Sequence, residues 1–148
     1  MLVVELRSAM TMEEDYGIEY TLPMDDDTVE MIIDELEVES LADVYIVNQY
    51  TDLPINVVGE ELHYLNIGLR DLFEDVESYE EPYRWMEIKA LLELDCIDKN
   101  DILYGFPHIE DYKFYHLDTN VTVEEDENYR LVGISSDNIL VKENELPF

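Results

Sequence analysis

Apolar residues along this chain alternate at first, then recur at helical spacing, then alternate again near the far end. Residues 2–7 (LVVELR) and 17–22 (GIEYTL) read as two strands, joined by a loop that carries Glu13, Glu14 and Asp15. Pro23 stops the second strand, since it has no N–H to give a ladder. Asp25, Asp26 and Asp27 then open a helix, where carboxylates cap free N–H groups and complement the helix dipole. Val29, Ile32, Ile33 and Leu36 form its apolar stripe, and Asp27, Glu30, Asp34 and Glu37 an acidic stripe at the same spacing. Residues 43–50 (DVYIVNQY), β-branched and aromatic, predict a third strand.

The dominant stretch is residues 53–76, LPINVVGEELHYLNIGLRDLFEDV. After the break at Gly59, Leu62, Leu65, Leu69, Leu72, Phe73 and Val76 line one side of a helix. Glu60, Tyr64, Asp71 and Asp75 fall on the opposite side, with Glu61 and Glu74 among the same acids. Residues 1–77 thus predict a β-β-α-β-α subdomain, and residues 78–148 a helical subdomain ending in a hairpin. The class is α+β: a small mixed or antiparallel sheet with packed helices, two small subdomains sharing a core in an elongated shape.

Within the second part, residues 82–95 predict a helix apolar on two sides. Tyr83, Met86, Ala90 and Leu94 make one row, and Trp85, Ile88 and Leu92 the other. Burial on both sides within the chain is one reading. A homodimer interface through the Trp85 row is the other. A short helix is expected over residues 98–104 and a strand over 111–117. The acidic run Glu124, Glu125, Asp126 and Glu127 reads as an exposed loop, and residues 130–135 and 139–142 as a hairpin turning at Ser136-Asp137-Asn138.

Charge changes this picture most. The chain has 38 acidic and 8 basic residues, a net charge of −30, yet 47% of it is hydrophobic, enough for a real core. Such a field excludes direct binding to nucleic acid and to anionic membranes, and favours a basic protein surface. Like charges one turn apart weaken a helix by a few tenths of a kcal/mol per pair. A sequence shaped for stability alone would put Lys at half the positions of these stripes.

Other chemistry finds little support. Cys96 is the sole cysteine, so neither a disulfide framework nor a cysteine zinc site is expected. MLVVELRSAM has no basic n-region followed by an apolar run, so the expected location is the cytoplasm, in a bacterial host. Glu60-x-x-His63 is half of a carboxylate di-iron signature, but neither His108 nor His116 has a Glu three residues before it. Asp118-x-Asn120-x-Thr122-x-Glu124 begins like a calcium loop, but Val123 stands where Gly is needed and Tyr129 where the bidentate Glu is needed. Nucleotide-binding glycine loops and nucleophile motifs are missing. The expectation is a binding protein without catalysis, metal or cofactor.

Duplex DNA carries one negative charge per ~1.7 Å of axis, so thirty charges match roughly 50 Å of duplex. Carboxylate stripes on rigid helices hold charge in place as a phosphate backbone does, which suits an occupant of an enzyme's basic DNA-binding groove. The segments GIEYTLPMDDDTVEMIIDEL and DVYIVNQYTDLPINVVGEELHYLNIGLRDLF resemble the first domain of ArdA-type antirestriction proteins. The shared pattern is an aromatic strand ending in Pro, an acidic helix, a strand running into Leu-Pro, and a helix of spaced leucines. LVGISSDNILVKE is similar to the hairpin that ends that family. The resemblance implies DNA mimicry that inhibits type I restriction–modification enzymes, and often a dimer. It also implies a middle domain that this chain compresses, and a first-strand Trp where Tyr20 stands. An inhibitor of a CRISPR effector needs the same surface. An acidic binding module or chaperone for a basic cellular protein is the alternative from a different class.

Overall fold

The computed structural model describes residues 1–8, 18–105, 108–119, 122–125 and 128–145. Strands β1 (Leu2–Arg7), β2 (Ile18–Leu22) and β3 (Tyr45–Thr51) form one antiparallel sheet in the order β2-β1-β3. In β1 the alternation is strict: Leu2, Val4 and Leu6 are fully buried, while Val3, Glu5 and Arg7 are half-buried. The central strand therefore turns one side chain in two toward the core. Helix α1 (Asp26–Leu36) begins where the aspartates predict and buries Ile32 and Leu36.

Helix α2 (Leu62–Phe73) is shorter than the leucine spacing alone suggests. Gly59–Glu61 is a separate 3-10 turn, pressed so closely on strand-entry backbone that a β-carbon on Gly59 would lie 2.1 Å from the carbonyl oxygen of Val44. At the other end the turn tightens around Phe73, the Glu74 N–H donating to the carbonyl oxygen of Asp71 and the Val76 N–H to that of Phe73, before α3 (Glu81–Glu93). The Arg84 guanidinium donates to the carbonyl oxygen of Leu72, taking one of the acceptors that a helix end leaves open. Leu62, Leu65 and Leu69 are fully buried and Leu72 nearly so, as expected, while Phe73 and Val76 are half-buried.

Helix α4 (Lys99–Leu103) is capped at both Asp98 and Asp101, each carboxylate accepting from the other's backbone N–H. It packs so tightly on α2 that a β-carbon at Gly68 would meet the carbonyl oxygen of Ile102 at 2.0 Å. Strands β4 (Tyr112–His116), β5 (Tyr129–Ile134) and β6 (Ile139–Asn144) form a second antiparallel sheet in the order β4-β6-β5. The expected hairpin is present, and β4 joins it as a third strand. Asn138 makes its turn with φ 59°, a left-handed conformation that Asn tolerates.

The class is α+β. One cluster of buried side chains runs from Leu2 through Leu69, Ile88 and Ile102 to Val141, drawing on both sides of residue 77. Among the described residues, no helix is long and apolar enough to cross a membrane.

Candidate interaction surface

The acidic stripe of α1 is built from its first residue. Asp25 caps the helix, its carboxylate accepting from the N–H of Thr28 at 2.8 Å, and that hydrogen bond holds the Asp25 carboxyl below its usual range. Beyond the cap, Asp27, Glu30, Asp34 and Glu37 are all exposed, and no described basic side chain pairs with any of them. Glu37 ends the helix with φ 54°, in the left-handed region where glycine is the cheaper residue. Met31, exposed on the same helix, adds an apolar point to this face.

The second group of acids divides. Asp71 stands on α2 and is exposed, but Glu60 lies in the 3-10 turn before the helix, and Glu74 and Asp75 in the turn after it. What reads as one helical stripe is therefore a helix flanked by two turns. Glu61 is only partly exposed. It pairs with Lys99 at 2.9 Å and also accepts from the N–H of Val58. Asp26 is likewise engaged, with Arg70 at 2.7 Å, an exposed bridge that ties the start of α1 to α2. Glu124 and Glu125 are exposed, while Glu13, Glu14, Asp15, Asp126 and Glu127 lie outside the described residues.

The few basic side chains are turned to internal use. Besides Arg70 and Lys99, Arg84 pairs with Glu87 at 3.3 Å, Lys89 with Asp137 at 3.1 Å, and Arg130 with Glu143 at 2.9 Å. Lys113 sits over the Tyr129 ring at 4.3 Å, and the nearly buried Lys142 over Tyr115 at 5.7 Å. Cations spent in this way leave the outward charge overwhelmingly negative.

No family model, curated protein or solved structure matches this chain. The site is therefore read from its own geometry.

The row Trp85, Ile88 and Leu92 packs against the chain's own core. Ile88 is fully buried and Leu92 nearly so, and the Trp85 ring lies 4.7 Å from that of Phe73. This row is filled by the chain's own core, the alternative that the two-sided apolar pattern left open.

Three polar features escape the pattern of types. Asn66, on the buried side of α2, exchanges two hydrogen bonds with the backbone of Met24 (2.6 and 3.0 Å) and so clips the chain before α1 onto α2. The Tyr20 hydroxyl donates to Glu35 at 3.0 Å, and burial, together with that carboxylate, pushes its pKa up to about 12. Glu87 lies between Arg84 and His116, and burial pushes its carboxyl up although both neighbours pull it down. A lone polar residue on an apolar helix face was the visible signal for Asn66. For Glu87 the partner His116 is twenty-nine positions away, and only the fold brings it close. Among the described residues, no group of three or more His, Cys, Asp or Glu side chains is gathered closely enough to hold a metal ion.

Proposed function

We propose that this protein inhibits a DNA-binding defence enzyme by occupying its DNA-binding groove as a substitute for DNA. The observation that carries this reading is the exposed stripe Asp27, Glu30, Asp34 and Glu37, fixed on a helix whose other side is core and paired with no cation among the described residues. At about 1.5 Å per residue the stripe holds one carboxylate per roughly 5 Å. A duplex presents one phosphate per ~1.7 Å, so about three such rows must act together. Asp71, Glu74 and Asp75 on and beside α2, with Glu60, supply further charge. A type I restriction–modification enzyme as the target rests on the ArdA-type resemblance of residues 17–75. The alternative target is a CRISPR effector, whose groove would be occupied by the same means. The protein acts in the bacterial cytoplasm, without catalysis, cofactor or direct contact with nucleic acid.

Each exposed ion pair contributes only about 0–1 kcal/mol, so tight inhibition needs many of them. The test is DNA binding and cleavage by a type I restriction enzyme, and by a Cas effector, titrated with this protein at several salt concentrations. Inhibition is expected to fade with salt and to be relieved by excess target DNA. Neutralising Asp27, Glu30, Asp34 and Glu37 together to Asn or Gln is expected to weaken it substantially, while Asp71→Ala alone does little. Inhibition that excess DNA leaves untouched would point to an allosteric contact instead.

A further inference from the structure

The outer side of α2 carries more than charge. Tyr64 is 57% exposed and Ile67, one turn on, 43% exposed, on a helix whose other side is fully buried. Around them stand Glu60, Asp71 and Glu74, all exposed. Ile67 also borders a recess of about 500 Å³ lined by Met24 and Phe73 and by Asp25, Asp71, Glu74 and Glu81, with Arg70 as the one cation among the described residues of its wall. Phe73, Pro23 and Glu81 are shared with an adjoining recess of about 600 Å³ bordered by Trp85 and Met86. Apolar surface and carboxylates are thus interleaved along these two recesses, and Tyr64 is exposed on the same helix one turn before Ile67.

A pure phosphate imitation has no use for this arrangement. Arginine and lysine side chains do: each is an apolar stem ending in a cation. The stem can lie on Ile67, Met24 and Phe73 while the head reaches a rim carboxylate, and the Tyr64 ring offers its face to a guanidinium. We infer that Tyr64 and Ile67 are the apolar anchors of the interface, receiving arginine side chains from the wall of the partner's DNA-binding groove. The inference rests on the inhibitor reading above and adds to it an apolar contribution that salt screens far less than exposed ion pairs. Buried aromatic anchors ringed by weaker contacts dominate many protein interfaces. Charge complementarity favours this face over the exposed Leu131 and Ile134 of β5, a strand without a carboxylate.

The experiment compares three proteins as inhibitors of a type I restriction enzyme and of a Cas effector, across salt concentrations: wild type, Tyr64→Ala/Ile67→Ala, and Leu131→Ala/Ile134→Ala. Both substituted pairs are exposed, and thermal melts establish that each variant is folded. The α2 variant is expected to lose about ten-fold or more in affinity at every salt concentration, its salt dependence running parallel to that of the wild type. The β5 variant is expected to match the wild type. An α2 variant that inhibits like the wild type, or whose deficit disappears at high salt, overturns the anchors and leaves the inhibitor reading standing. An equal loss in the β5 variant overturns them too. A wild type that inhibits neither enzyme overturns both the reading and the inference.

Discussion

Two residues show where this sequence departs from what stability alone would select. Glu37 holds a left-handed conformation that costs a residue with a β-carbon roughly 1–2 kcal/mol relative to the right-handed one. Glu37→Gly is therefore expected to stabilise the fold by on the order of 1 kcal/mol, read as a higher urea midpoint with an unchanged slope. Glu87 acts through pH. Burial raises its carboxyl above the ordinary value of 4.5, so the folded chain binds that proton more tightly than the unfolded chain does. Stability then falls as pH climbs from about 4.5 through the raised value. Glu87→Gln removes this titration, so its stability relative to wild type should grow across that interval, in urea melts taken at closely spaced pH. At this scale the sequence was only partly legible. Asp25 as a cap could be read from three aspartates before an apolar run, because capping is local. The pairing of Glu61 with Lys99, and of Asp26 with Arg70, could not, because each pair joins residues about forty positions apart.

At the scale of elements, periodicity carried most of the information. The alternation of Leu2, Val4 and Leu6 and the leucine spacing of α2 each report which side is buried, and every one of those residues is in the core. Less legible was where elements stop, since the ends of α2 are set by Gly59 meeting Val44 and by Arg84 reaching Leu72. The join between α2 and α4 depends on Gly68 having no side chain. Gly68→Ala forces backbone apart at Ile102, and a destabilisation of about 1–3 kcal/mol is expected from chemical unfolding. The α1 stripe behaves in the opposite sense. Glu30→Gln with Asp34→Asn removes like charges one turn apart, and should stabilise the helix by a few tenths of a kcal/mol per pair while weakening inhibition. A variant that gains stability and loses function would separate the two demands on this helix.

The molecule as a whole carries −30 charges over a single core, and mutual repulsion opposes its compact state. Raising salt from about 0.01 M to 1 M shortens the screening length from about 30 Å to 3 Å, so Tm should rise over that range. A Tm flat in salt would mean that the charges already lie too far apart to matter. The distribution of charge has another consequence. The three strands β4, β5 and β6 hold Lys113, Arg130 and Lys142 against one carboxylate, Glu143. Helix α1 holds Asp26, Asp27, Glu30, Asp34 and Glu35, and no cation. A body charged so unevenly experiences torque in an external field. A cationic partner of the kind proposed would pull first on the helical side, before contact. Fewer collisions would then be wasted on wrong orientations, and association with such a partner would be quickened before any contact forms.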